Sequence, residues 1–460
     1  MKFFHIFLLC FGICACLEPF IVDLRSTADL SVRIAVQICS GFLNRNNSNF
    51  VYTLMNDPYD VDWLDDLYHI TDPTPTPIDS LMAQCLSAYP RYIAFNASFQ
   101  MAITPNLITL SSVLDAVLLE ADSGWISEHG PERVFDAVTV FGNASALTVS
   151  EWMFDHHVDS TSTLSFMNPH PLNPGLVDYI ARERVFTFYL DNACIRGTAE
   201  YRFTLKMVTP SNNPWSDPVE VMGYNDAWPV AGDLFEAETD CNVLHNMGQI
   251  ASSGFNNLAA LSSAPSITEP LHQTPSPSLS YNASKTYLAF TIGDGDNLSF
   301  IKGSRRQWMK DRVARCAAAN GSYAGCFSLQ WTMSPHLVHL APSMLRWYYN
   351  QSYLTQNDYF VLPPSGHLYA YPSEMDADGA QKHFVAATNA DCRLLGCNST
   401  VAWEFVFTWN RAIAQYFPKY GKGTQCHARC LCGHLLFCGF FGLNILQNLP
   451  CSLVLWLQIR

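Results

Sequence analysis

The sequence predicts an α/β fold, with parallel strands covered by helices. Short runs rich in β-branched and aromatic residues recur along the chain, each ending at Asp, Asn or Gly, and helix-compatible stretches often follow. The runs are apolar throughout rather than alternating, which marks strands buried on both faces. At 460 residues the chain exceeds one ordinary core, so two or more domains are expected.

The strand candidates of the N-terminal half are NFVYTLMND, FDAVTVFGN, RVFTFYLDN and VEVMGYNDAWP. Those of the C-terminal half are YLAFTIGDGDN, CFSLQWTMSP, DYFVLPPSG and TVAWEF. Between the halves lies SSAPSITEPLHQTPSPSLS, whose prolines and serines cannot sustain a helix or a central strand. A linker or long surface loop is expected there, over 262–283. TDPTPTPIDS, Thr71 to Ser80, reads as a loop within the first domain.

Composition sets the class. The chain is 49% hydrophobic and 14% charged, as in globular proteins. Its net charge of −14 argues against a nucleic-acid partner, because phosphate binding needs an excess of Lys and Arg. The first sixteen residues read as a secretory signal: Lys2, an apolar stretch from Phe3 to Ile13, then small residues Cys14, Ala15 and Cys16. Sequons at Asn46, Asn96, Asn143, Asn282, Asn297, Asn320, Asn350 and Asn398 agree with secretion or a lumenal location. So does an even set of cysteines, Cys39, Cys85, Cys194, Cys241, Cys316, Cys326, Cys392 and Cys397. Cys316 with Cys326 and Cys392 with Cys397 are the plausible local disulfides. No CxxC or HExxH suggests zinc, and no cofactor is required.

The tail, 421–460, is atypical: Cys-rich and apolar. Leu431 to Leu457 is long enough to span a membrane, but His434, Asn444, Gln447, Asn448 and Pro450 interrupt it. A C-terminal anchor and an aberrant end are both open readings.

The chemistry is expected at the C-terminal ends of the strands, where open α/β folds place it. GDGDN, Gly293 to Asn297, is the most informative such end. An EF-hand fails: counting from Asp294, the fifth position is Leu298, the sixth Ser299 and the twelfth Arg305. A dinucleotide loop fails for want of a third glycine, and two aspartates repel phosphate. A polar turn capping the next helix, near Leu298, competes with a catalytic carboxylate pair. Further strand-end groups are Tyr224, Asn225, Asp226, Trp331, His336, Tyr369, Tyr371, Glu374 and Glu404. Carboxylates, amides and aromatics without a basic cluster suit a sugar: rings stack on pyranose faces and polar groups bind hydroxyls.

SGHLYAYP, Ser365 to Pro372, resembles the signature of the GxGYxYP putative glycoside hydrolases. Gly366, Tyr369, Tyr371 and Pro372 match, and Leu368 stands where the second glycine is expected. The preceding order of DGDN, WTMSP, LAPSMLRWYYNQ and NDYFVLPPSG is similar too. Upstream, VMGYND and EAETDCNVLHNMGQIASSGFNNLAAL fit the family's N-terminal region. The resemblance covers Pro214 to Glu404 well and implies a barrel-like C-terminal domain over 284–420. That stretch is short against the roughly 250 residues of a full (β/α)₈ barrel, so strands are expected to be lacking where the tail begins. The expected organisation is thus a signal peptide (1–16), an N-terminal α/β region (17–261), the linker, the (β/α)-barrel-like domain and the tail.

The resemblance implies a secreted glycoside hydrolase acting on a carbohydrate. Asp294 and Asp296 supply acid, base or nucleophile, with Glu374 or Glu404 as further carboxylates. Trp331, Tyr369 and Tyr371 bind sugar, Asn297 holds a hydroxyl or orients a carboxylate, and Gly366 with Tyr224, Asn225 and Asp226 completes the binding set. The competing reading is a non-catalytic carbohydrate-binding or cell-surface protein. A third is metal-dependent hydrolysis on Asp294 and Asp296.

Overall fold

Among the described residues every pairing between strands is parallel, as the unbroken apolar runs predict. The computed structural model describes residues 20–45, 50–167, 175–223, 246–250, 252, 255–275, 282, 284, 288–320, 325–375, 379–401, 415–421 and 453–457. The signal segment and nearly all of the tail lie outside the described residues, as do Tyr224, Asn225, Asp226 and Glu404.

Four sheets follow one another along the chain. The first pairs β1 (Phe20–Asp23) with β2 (Val51–Leu54). The second has the order β4-β3-β5, from β3 (Arg91–Phe95), β4 (Val117–Glu120) and β5 (Glu132–Asp136). The third has the order β7-β6-β8-β9, from β6 (Leu164–Phe166), β7 (Phe186–Phe188), β8 (Val219–Met222) and β9 (Met247–Ile250). The fourth has the order β12-β11-β10-β13, from β10 (Leu288–Ile292), β11 (Leu329–Thr332), β12 (Asp358–Val361) and β13 (Leu453–Leu457). The fold is mixed α/β with parallel sheets, as expected.

Local sequence explains most boundaries. Asp29 accepts from the amides of Ser31 and Val32 and so starts the helix Leu30–Asn44. The Thr71–Ser80 loop ends where Pro77 precedes the helix Ile78–Ala88. FDAVTVFGN departs from its strand expectation. Only its first two residues finish β5, and Ala137–Phe141 is helical. Asp136 decides this, because its carboxylate accepts from the Thr139 amide and caps the turn against the β preference of Val138 and Val140.

One hydrophobic core runs from Val22 of β1 to Phe417, drawing on both halves of the chain. The proline-rich connection joins that body rather than looping away. The Ile267 amide donates to the Val338 carbonyl (2.8 Å) and the Leu271 amide to the Leu394 carbonyl (2.7 Å). Gln273 completes the strap by donating to the Phe360 carbonyl (3.0 Å) and accepting from the Phe360 amide (2.7 Å).

Charge also links the halves. The Lys302 side chain is 2% exposed, and its ammonium lies 2.6 Å from both Asp57 and Asp60. Burial alone would lower its pKa, but the two carboxylates outweigh that and hold it above the ordinary value. The Trp63 indole donates to the Lys302 carbonyl (2.6 Å), and Arg306 binds Asp62 (2.8 Å) and Asp66 (2.5 Å).

Two disulfides are described, Cys39–Cys85 and Cys316–Cys326, the second as expected. The expected Cys392–Cys397 pair does not form. Cys397 is a buried free thiol, whereas Cys392, in the last turn of the helix Ala380–Leu394, is disulfide-bonded. Among the described residues no helix is long and apolar enough to cross a membrane. The candidate span Leu431 to Leu457 lies outside them except for β13.

Replacing Lys302 with Met should leave the buried Asp60 carboxylate uncompensated, with partly exposed Asp57 beside it. Chemical denaturation is expected to show a loss of roughly 3–5 kcal/mol, far above the loss from removing an exposed pair such as Lys206–Asp155.

Candidate functional site

β10 lies between β11 and β13, so its C-terminal end is flanked by neighbouring strand ends. There Gly295 is seated directly on β11. Its amide donates to Thr332 Oγ1 (2.8 Å), and that hydroxyl donates to the Ile292 carbonyl (2.9 Å). A Cβ on Gly295 would fall 1.8 Å from the Thr332 carbonyl oxygen, so this close approach requires glycine. Asp294 takes the left-handed conformation, φ 59°, which turns the chain sharply between the glycines. Asn297 accepts from the Ser299 amide (3.0 Å) and caps the helix Leu298–Lys302, the capping role the sequence allowed for this turn.

Asp294 and Asp296 are half-buried. Beneath them lies Arg305, 2% exposed, whose Nη1 donates to the Thr332 carbonyl (2.9 Å). Burial lowers the guanidinium pKa, and Tyr348, Asp296 and Asp294 oppose that fall. The loop therefore has a fixed backbone, two partly accessible carboxylates and a buried cation facing both. Nothing in the sequence distinguished Arg305 from the other basic residues of its helix.

The aromatics take a different place from the one expected. Trp331 is 2% exposed, and its indole donates to Asp358 (2.7 Å), which also pairs with Arg312 (3.1 Å). The ring is part of the core and presents no open face. Tyr369 and Tyr371 are buried as well. Gly366, φ 133°, opens the loop that follows β12. Tyr369 exchanges backbone hydrogen bonds with Gln249 of β9, at 2.9 and 3.0 Å. Leu368 packs on Gly248, where a Cβ would come within 2.8 Å of the leucine's own Cβ. The GHLYAYP loop thus clamps the C-terminal half to the third sheet. Glu374 is exposed on the 3₁₀ turn Pro372–Glu374 beyond the tyrosines.

A histidine cluster accompanies that clamp. His367 Nδ1 lies 2.7 Å from Asp391, and its Nε2 lies 3.2 Å from Glu220 of β8. Burial would lower its pKa, but hydrogen bonds to the two carboxylates outweigh this and raise it to about 10. Glu220 is brought down to about 2, the bond from His367 overcoming the effect of burial. His336 donates from Nε2 to the His367 carbonyl (2.7 Å), and burial lowers its pKa to about 4. His367 stands inside the signature and was visible in it. Asp391 gave no signal, being one polar residue on an amphipathic helix.

A separate cleft of about 520 Å³ opens in the N-terminal half, lined by Asp29, Asp79, Glu120, Asp122, Glu128 and Trp125 among others. None of its lining residues comes from the C-terminal half. Among the described residues no group of three His, Cys, Asp or Glu side chains is placed to hold a metal ion.

Comparison with known proteins bears on the same region. Residues 284–428 match the GxGYxYP putative glycoside hydrolase C-terminal domain. This segment is similar to that domain. The matched segment contains the GDGDN loop, the buried Arg305 and the signature clamp. A crystal structure of a putative hydrolase from Bacteroides thetaiotaomicron aligns with TM-score 0.65 at 19% identity, covering 88% of this chain and 74% of that one. At that identity the likeness establishes a shared fold, extending beyond the matched segment into the N-terminal half. No curated protein sequence matches the chain.

Gly295→Ala should push the loop off Thr332. Thermal or chemical unfolding is expected to show a loss on the order of 1–3 kcal/mol from the forced backbone shift, whereas Ser299→Ala, beside it, should cost far less.

Proposed function

We propose that the chain is a secreted glycoside hydrolase whose chemistry is carried by Asp294 and Asp296. One carboxyl protonates the leaving oxygen, and the other activates water or attacks the anomeric carbon. The observation that carries this reading is the GDGDN loop, two partly accessible carboxylates held at a parallel strand end by Gly295 on Thr332. Its place within a domain named for glycoside hydrolysis supports a carbohydrate substrate. Arg305, buried below the loop, faces both carboxylates. Glu374, exposed, and Glu404 are the reserve carboxylates. Tyr224, Asn225 and Asp226, which follow β8 in sequence, are the proposed sugar-binding groups. Trp331, Tyr369 and Tyr371 support the site through packing. Secretion draws support from the N-terminal apolar segment and the described disulfides, which suit an oxidising compartment.

The test is secreted expression and a screen on aryl glycosides and polysaccharides. Asp294→Asn and Asp296→Asn should each lower turnover about 10²–10⁴-fold with the circular dichroism spectrum unchanged. Binding without turnover in the wild-type protein would instead indicate a non-catalytic carbohydrate-binding protein. Chelator should leave activity intact; loss restored by a divalent cation would favour metal-dependent hydrolysis.

Asn297 offers an independent check, since a glycan there would obstruct the loop. Peptide mapping of the secreted protein is expected to find Asn297 unmodified and an exposed sequon such as Asn143 occupied. A glycan on Asn297 would remove this site from consideration.

A further inference from the structure

We propose that His367, as an imidazolium held between Glu220 and Asp391, is a positioning residue that fixes the signature loop against the third sheet. Three separate segments meet at this ring. Glu220 lies on β8, His367 lies in the loop after β12, and Asp391 lies on the helix Ala380–Leu394.

The hydrogen-bond pattern fixes the charge. A carboxylate only accepts, so a histidine with a carboxylate on each ring nitrogen donates from both and is cationic. The neighbouring groups are consistent with one central charge. His336 and His339 also face the cluster, and burial keeps both pKa values low, so neither competes as a cation near neutrality. Tyr179 faces Glu220 and Cys397 faces Asp391, and burial raises both of their pKa values, so they stay neutral as well.

The ring also controls what lies on either side of it in sequence. Its backbone amide donates to Thr388 (3.1 Å), and its carbonyl accepts from His336. Two residues on, Tyr369 makes its reciprocal bonds with Gln249. A second link, from His383 to the Asp217 carbonyl (3.0 Å), joins the same helix to the segment before β8. Loss of the charge would leave two carboxylates facing an uncharged ring, and the loop would lose its hold on β8 and β9.

The sign of the pH dependence follows from the shifts. His367 is raised from 6.5 to about 10, so its contribution is complete below 6.5 and is lost as pH rises through about 10. Glu220 is lowered from 4.5 to about 2, so its contribution is complete above 4.5 and is lost as pH falls through about 2.

Hydrogen exchange on the full secreted chain tests this whether or not the chain hydrolyses a glycoside. At pH 6, His367→Gln should raise exchange in peptides covering 247–250 and 366–371 by about tenfold or more, with the helix Leu30–Asn44 unchanged. His367→Arg, which keeps the cation, should restore most of the protection. In the wild-type protein the same peptides should open as pH approaches 10, after normalisation to unstructured-peptide rates. An unchanged pattern in His367→Gln, or an equal rise along the whole chain, would overturn the proposal. Nitrogen-15 NMR of the wild-type imidazole gives a second reading that needs no variant. Both ring nitrogens should be protonated at pH 7.5, and a neutral ring would equally overturn it.

Discussion

The fold depends on a buried ammonium. Lys302 sits at the end of the short helix that follows the GDGDN loop, and it bonds Asp57 and Asp60 from the segment after β2. Charges buried this deeply are tolerated only in close pairs. The helix that carries Lys302 therefore has one position relative to the first sheet. Asp60 extends the constraint: it accepts from the Met55 amide (3.1 Å) and from Asn257 (3.3 Å), whose side-chain oxygen accepts from the Thr53 amide (2.7 Å). Through these groups the first sheet, the short helix Leu258–Leu261 and the candidate site become one rigid unit.

This explains how a loop with two adjacent carboxylates keeps a defined shape. It is pinned at its start by Gly295 on Thr332 and at its end by Asn297, Lys302 and the Trp63 indole. Arg305 fills the space below. The aromatic residues expected to stack on a sugar are instead used to build the support. Trp331 braces Asp358 and Arg312, Tyr369 sits in the contact with the third sheet, and Tyr371 is buried.

Much of the fold was legible in the sequence because parallel strands bury both faces and leave unbroken apolar runs. β2, β7, β8, β10, β11 and β12 each fall within a predicted run. β1, β3, β4, β6 and β9 were not singled out, since strands of three to five residues are too short to stand apart from any stretch of core. FDAVTVFGN misled because one capping aspartate outweighed β propensity. The site was legible where chemistry is local: the aspartates, the capping asparagine and the signature. It was not legible where partners come from distant segments. Glu220 and Asp391 reach His367 across 147 and 24 residues of chain, and no local spacing records such a meeting.

The contact between Gly248 and Leu368 has an evolutionary consequence. The leucine occupies a place where the signature expects glycine, and the volume it needs is supplied by a glycine on β9. The two positions exchange volume, so a side chain at one is tolerated only when the other is small. Their substitutions are epistatic. A relative that keeps glycine in the signature is free to carry a larger residue on the strand, and a chimera taking one element from each would inherit either a collision or a void.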